Sequence, residues 1–298
     1  MNLASVSWHD IIDFSDYGAL LSLTWKSVLA AAVLGLLGGL MSVFVMMRDL
    51  PFAVHGVSEL SFAGAAGFLL AGQSVVAGSV VGSLIAAYLI GSFGVRARDR
   101  NSVIGVLMPF GLGLGFLFLA LYPGRTANKF GLLIGQIAAL NSGHLVAVIV
   151  TACVVLAGLF TIWRPLTFAS TDPDLAVARG VPLRMLSMAF MMLLGLSVAI
   201  SVQAVGALLV LTILCTPAAA AMRVTASPLL VAVLSVAFAT ASMVGGTLLG
   251  LGSVRVPITP YVTTISFAIY LVCRVVGAFR DRRGWGGRVG PAPATARE

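Results

Sequence analysis

The chain has 298 residues, 59% of them hydrophobic and only 9% charged, with a formal net charge of +8 and a mean hydropathy of +1.07. Soluble globular domains carry about 25% charged residues, so this composition excludes one and describes a polytopic membrane protein. The positive charge calls for a membrane reading before a nucleic-acid one, because the basic residues cluster at the ends of apolar segments, where they fix topology, and no nucleic-acid partner is expected.

No hydrophilic stretch is long enough for a soluble domain. One transmembrane domain, 25–279, is expected between an N-terminal segment, 1–24, and a disordered tail, 280–298, rich in Gly, Pro and Ala. The N-terminal segment carries His9, Asp10, Asp13 and Asp16 without a basic region before an apolar run, which argues against a cleaved signal peptide. A solvated, frayed terminus is a plainer reading of these residues than a cation site.

Apolar stretches of about 20 residues can span a bilayer. In chain order they are 25–47, 50–72, 74–94, 103–122, 144–163, 183–202, 204–222, 228–250 and 259–279. The expected fold is an all-α transmembrane bundle of eight to nine spans. The uncertain one is 204–222, because Gly206 and Pro217 can break it into a shorter or re-entrant piece. With simple alternation, Arg48, Arg96, Arg98, Arg100, Arg164, Arg179, Arg184, Arg223, Arg274, Arg280, Arg282 and Arg283 fall on one side, against Lys26, Arg125, Lys129 and Arg255 on the other. The excess marks the first side, with the C-terminus, as cytoplasmic.

The second span begins with Asp49 as a candidate N-cap and Pro51 in the first turn. Ten residues beyond Asp49, about 15 Å along the helix, lies Glu59, one of only two glutamates in the chain. A carboxylate near the bilayer centre costs roughly 2.5 kcal/mol or more. His55 lies one turn earlier on the same helix face. Imidazole and carboxylate are both ligands for a divalent transition metal; a structural hydrogen-bonded pair between helices is the other reading. Gly56, Ala63, Ala66 and Gly67 lie on or beside that face, where small residues let another helix or a second copy of the chain approach.

The loop 164–183 carries a helix signal of its own. Asp172 suits the N-cap, Pro173 the first helical position and Asp174 the dipole. Arg179 ends the segment, Gly180 suits a left-handed cap, and Pro182 stops continuation. The result is a two-turn helix on the cytoplasmic face, either a connector or a docking knob. Cys153, Cys215 and Cys273 are far apart and form no paired motif, so they read as small core residues. His144, beside Asn141 and Ser142, reads as interfacial.

Three segments, in this order, resemble the permease subunits of ATP-binding-cassette importers for zinc and manganese. MMRDLPFAVHGVSELSFAGAAG, Met46 to Gly67, is similar to that family's second-helix motif of an aspartate, a histidine four residues on and a glycine five beyond. STDPDLAVARGVPLRML, Ser170 to Leu186, resembles its coupling segment. QAVGALLVLTILCTPAAAA, Gln203 to Ala221, resembles the glycine-and-proline helix that follows. The corresponding positions of the first motif are His55, Glu59 and Gly64, so imidazole and carboxylate are present in exchanged order.

The resemblance implies that His55 and Glu59 are metal ligands in a pathway between two permease copies. It implies that Gly64, Gln203, Gly206 and Pro217 shape that pathway, and that the helix bounded by Asp172, Pro173, Asp174, Arg179 and Gly180 couples to an ATPase. It further implies a bacterial inner-membrane location among lipid, a cytoplasmic ATP-binding-cassette ATPase and an extracytoplasmic metal-binding protein as partners, and zinc or manganese as substrate with no permanently bound cofactor. The chain contains no GxxxxGK[ST] phosphate loop, so energy from ATP must come through a partner. Two rivals stand beside this reading. An ion-coupled secondary transporter would use Glu59 as its proton carrier. An intramembrane metalloenzyme would need a third ligand, and only His55 of the three histidines lies deep in a span.

Overall fold

The computed structural model describes residues 17–93, 97–124, 131, 135, 142–252 and 257–282, and these contain helices and turns without a strand. Eight helices are long and apolar enough to cross a membrane. In chain order the helices are α1 Tyr17–Met47, α2 Pro51–Leu70, α3 Val75–Phe93, α4 Ala97–Leu121, α5 Ser142–Thr171, α6 Pro173–Ala178, α7 Leu183–Val205, α8 Val210–Leu214, α9 Thr216–Val224, α10 Pro228–Leu251 and α11 Ile258–Arg282. Among the described residues these eight are α1–α5, α7, α10 and α11, and α6 is a short helix of six residues. The uncertain stretch is broken into a 3-10 turn, Ala207–Leu209, followed by α8 and α9. Helix α1 starts eight residues before the expected span and α11 ends three residues beyond its own. Residues 1–16 and 283–298, with His9 and the acidic cluster, lie outside the described residues.

The α1–α2 corner departs from expectation. Asp49 does not cap α2: Leu50 occupies the N-cap position, and no side chain bonds there. Asp49 instead adopts a left-handed conformation, φ 54°, and closes α1. Its N–H donates to the Met46 carbonyl, and the Leu50 N–H donates to that of Val45. This is the paired-bond C-terminal cap usually made by glycine, which a short polar side chain also tolerates. Pro51 begins α2 as its sequence position indicates.

Helix α5 also runs past its expected end. The expected span ends at 163 and a loop is expected from Arg164, yet the helix continues through Pro165 to Thr171. Thirty residues extend about 45 Å, well beyond a hydrocarbon core of about 30 Å. Proline removes one N–H donor and crowds one carbonyl, a local loss that membrane helices absorb. Beyond it, the Thr167, Ser170 and Thr171 hydroxyls bond back to the carbonyls of Trp163, Leu166 and Thr167.

Packing places α2 at the centre of the region that matters for function. It lies against α3, α4 and α7, while α1 packs along α10. Phe44, Phe62, Phe190, Met41 and Leu194 are fully buried in the core. A buried serine chain ties three helices together. The Ser61 and Ser79 hydroxyls are 2.7 Å apart, and Ser79 donates to the Ala199 carbonyl.

The small residues of α2 do not form an open face for a second copy. The Gly56 position meets Ile104 and Met108 of α4 and Ile90 of α3, and Ala63 lies against Gly115 of α4. Small residues let a neighbouring helix or a second copy approach closely, and at Gly56 and Ala63 the neighbour is α4 of the same chain.

Candidate functional site

His55 and Glu59 come together within α2. His55 Nε2 lies 3.7 Å from Glu59 Oε1; the imidazole is 30% exposed and the carboxyl side chain 4%. That distance is beyond a hydrogen bond, so the two groups are close without being paired by one. The Ser58 hydroxyl donates to the His55 carbonyl at 2.8 Å. His55 Nδ1 and Glu59 Oε2 are both buried and have no partner. A buried unsatisfied polar atom costs about 1–3 kcal/mol, so the structural hydrogen-bonded pair considered from sequence is not the arrangement present.

The geometry suits a bridging ion. Zinc binds imidazole nitrogen and carboxylate oxygen at about 2.0–2.2 Å, which in a tetrahedral site sets two donors about 3.4 Å apart. A rotamer adjustment of a few tenths of an ångström closes the 3.7 Å gap. Among the described residues no group of three or more His, Cys, Asp or Glu side chains converges on one point. His55 and Glu59 therefore offer two donor-type side chains, with no third beside them among the described residues. Phe52, 69% exposed, precedes His55 by three residues and continues the same stripe outward.

The other sequence candidates occupy different places. Gly64 is a contact between helices: a Cβ there would sit 2.2 Å from the Gly78 carbonyl oxygen and 3.0 Å from Gly82 Cα. It sets the approach of α2 to α3 rather than lining an opening. Gln203, near the end of α7, donates through Nε2 to the Val75 carbonyl at 3.4 Å, joining α7 to the first turn of α3. Gly206 ends α7 at φ 91°, ψ 155°, a backbone region that is essentially glycine-only. The 3-10 turn and α8 that follow pack against α2, which places this broken segment beside the helix carrying His55 and Glu59.

Pro217 does not kink a continuous span. The break comes at Cys215, whose φ of −129° and ψ of −50° separate α8 from α9, and Pro217 lies in the first turn of α9. A proline that lacks an N–H fits there because first-turn donors have no helical acceptor.

Helix α6 has the capping chemistry read from its sequence. The Asp172 carboxylate accepts from the Leu175 N–H at 3.0 Å, Pro173 starts the helix and Asp174 lies in its first turn. Arg179 is the C-cap. Gly180, at φ 79°, closes the end through its own N–H to Val177 and that of Val181 to Ala176. Ala176 is fully buried, while Leu175 and Val177 are 44% and 58% exposed, so a rigid knob presents apolar side chains outward.

One group was hidden at sequence level. Arg48 and Arg100 read only as markers of a membrane side, yet both turn into the protein. Arg48 Nη2 donates to the Ser187 hydroxyl at 2.5 Å and Nη1 to that of Ser170 at 3.4 Å, while Arg100 Nη2 reaches the Asp49 carbonyl at 3.5 Å. A run of arginine and left-handed aspartate at a helix corner is the only sequence signal, and it is a weak one.

Comparison with known proteins agrees with this architecture. A profile of the ABC 3 transport family matches residues 21–277. The manganese transport system membrane protein MntC of Halalkalibacterium halodurans is 27% identical over 201 residues, covering 67% of this chain and 69% of the relative. The zinc transport system membrane protein TroC of Treponema pallidum is 26% identical, covering 90% and 91%. The high-affinity zinc uptake system membrane protein ZnuB of Haemophilus influenzae is 24% identical, covering 76% and 87%. In structure, the chain shares its fold with PsaBC from Streptococcus pneumoniae, determined in complex with Fab, at a TM-score of 0.79 and 22% identity, covering 91% of this chain and 99% of the other. With nearly all of its spans inside the matched region, the chain belongs to the ABC 3 transport family.

Proposed function

We propose that this chain is the permease subunit of an ATP-binding-cassette importer that carries a divalent transition-metal ion, zinc first and manganese second, across the bacterial inner membrane. The observation that carries the reading is the pair His55 and Glu59, one turn apart in the first half of α2 with a buried, unpartnered polar atom on each. Relatives named for manganese and zinc transport support the choice of cargo. The ion is substrate, held in passing, and no permanent cofactor is required.

Two donors form half of a tetrahedral site. A second copy of the chain, placed so that the Phe52–His55–Glu59 stripes face each other, would supply two imidazoles and two carboxylates. The exposed part of His55 and the exposed Phe52 are where a partner would reach the pair; Glu59 itself is buried beside α4, whose Gly111 approaches its backbone. The exchanged order of imidazole and carboxylate keeps the ligand types and alters their depth along the helix by one turn.

The permease performs no bond chemistry and has no ATPase site of its own. Helix α6 docks on a cytoplasmic ATPase through its exposed apolar knob, and an extracytoplasmic metal-binding protein delivers the ion. With the broken stretch 207–224 counted as one passage, the sorting of the arginines puts the C-terminus inside. Transport is alternating access, in which partner-driven shape change alters the affinity of the ligand pair. The test is zinc uptake into vesicles containing the assembled complex, with and without ATP and with the proton gradient collapsed. Uptake that needs ATP and survives loss of the gradient is expected. Uptake driven by the gradient alone would instead favour the secondary transporter with Glu59 as proton carrier.

A further inference from the structure

A cleft between the α1–α2 corner, the start of α4, the end of α5 and the start of α7 is left unused by metal transfer. It encloses about 580 Å³ and its lining includes Arg48, Asp49, Arg100, Ser170, Arg184 and Ser187, a volume within the usual range of about 300–1,000 Å³ for ligand sites. Three guanidinium groups and one carboxylate make it strongly cationic.

An arginine that only marks a membrane side needs to reach water and nothing more. Arg48 and Arg100 are only partly exposed. Each has its Nε buried and without a partner. The Arg48 head is held by two neutral hydroxyls and packed over the Phe190 ring at 5.8 Å, and Arg100 is held by a carbonyl. Among the described residues no salt bridge forms to either guanidinium, although the Asp49 charge favours Arg100 from a longer distance. Burial and the like charge of Arg100 both press the Arg48 pKa below its usual value. Arg184 lies exposed at the rim. Fixed, partly desolvated guanidinium groups with spare N–H donors and adjacent hydroxyls match tetrahedral oxyanions, which take several charge-assisted hydrogen bonds at once.

We propose that this cleft binds a phosphate-type anion, either the phosphodiester of an anionic phospholipid of the same leaflet or free inorganic phosphate. The anion would lie between Arg48 and Arg100, with the Ser170 and Ser187 hydroxyls as further donors and Arg184 at the mouth. Its place gives it a role. The Asp49 corner leads directly into α2, which carries His55 and Glu59, while Ser170 precedes α6 and Pro173 lines the same cleft. An anion seated there joins the helix that holds the ligand pair to the short helix on its way to the cytoplasmic partner.

The experiment uses the purified full-length permease in neutral detergent. The thermal midpoint and native-mass-spectrometric adducts are measured with sodium phosphate against chloride at equal ionic strength, and with phosphatidylglycerol against phosphatidylcholine. Arg100→Gln and Arg184→Gln are the first variants, because Arg48→Gln also breaks two hydroxyl contacts between helices. Each is expected to weaken anion binding about tenfold or more while leaving the unliganded midpoint near the parent. Stabilisation by phosphate that the variants lose identifies a free-anion site. Stabilisation and adducts from phosphatidylglycerol alone, lost in the variants, identify a lipid site. Absence of any response to either probe, or a response of parental affinity in both variants, overturns the proposal.

Discussion

Replacing Gly64 with alanine isolates the role of the α2–α3 contact. The added Cβ would lie 2.2 Å from the Gly78 carbonyl oxygen and 3.0 Å from Gly82 Cα and N, all backbone atoms that no rotamer change can move. A carbon rests about 3.3–3.6 Å from a carbonyl oxygen, so the two helices must separate by about 1 Å. Overpacking of this kind costs about 1–3 kcal/mol. The displacement would act on α2 five residues, or about 7.5 Å, from Glu59, and would draw the buried ligand pair out of register with its surroundings. Gly113→Ala is the control, because a Cβ there meets nothing within 4 Å and alanine favours a helix over glycine by about 0.5–1 kcal/mol. Unfolding in mixed micelles by an added denaturing detergent is the assay, followed by zinc uptake in the assembled complex. Gly64→Ala is expected to lose stability and uptake, and Gly113→Ala to keep both. Parental stability and uptake for Gly64→Ala would refute the close-contact reasoning.

Gly206→Ala places a side chain in a glycine-only backbone region and is expected to cost about 1–3 kcal/mol, measured by the same unfolding assay against Ala207→Gly as a neighbouring control. Asp172→Ala removes the cap on Leu175 and is expected to cost about 1 kcal/mol of α6 stability with a modest fall in permease-stimulated ATP hydrolysis. Ala176→Pro removes the bond from the Ala176 N–H to the Asp172 carbonyl and is expected to abolish ATPase pull-down and stimulation while membrane insertion is retained. Cysteines at Ala63 and Gly115, whose positions adjoin, are expected to cross-link within one chain. A single cysteine at Phe52 is expected to cross-link between chains in the assembled complex, as read on a denaturing gel.

Much of the fold is legible because membrane constraints are simple. Long apolar runs must become helices, and Gly206 in the seventh run announces the break that the structure places there. The helix Pro173–Ala178 is legible for a different reason: every cap is made by residues within a few positions of it, Asp172 at one end and Gly180 at the other. The failures share the opposite property. The stretch from Arg164 looks like a loop, but the one hydrogen bond lost at Pro165 is outweighed by a helix already packed along its length. Asp49 looks like an N-cap, yet the corner needed a left-handed residue more than a capped α2. Pro217 looks like a kink, while the chain had already broken at Cys215. The small face of α2 was readable as a contact surface, but nothing local says whether the neighbour is α4 or a second copy. The ligand pair was visible through the cost of a mid-span carboxylate. The inward turn of Arg48 and Arg100 was not, since a basic residue at a span end is expected on topology alone.

The central claim is that His55 and Glu59 hold the transported ion. Its most direct test is zinc and manganese uptake by the reconstituted importer bearing His55→Ala or Glu59→Gln, each shown to insert and to assemble with the ATPase. Either change removes one ligand without adding charge, and each is expected to abolish uptake. The exchange His55→Asp with Glu59→His, which restores the order usual in related permeases, is expected to keep part of it with altered metal preference. Uptake at the parental rate by both single variants would contradict the assignment.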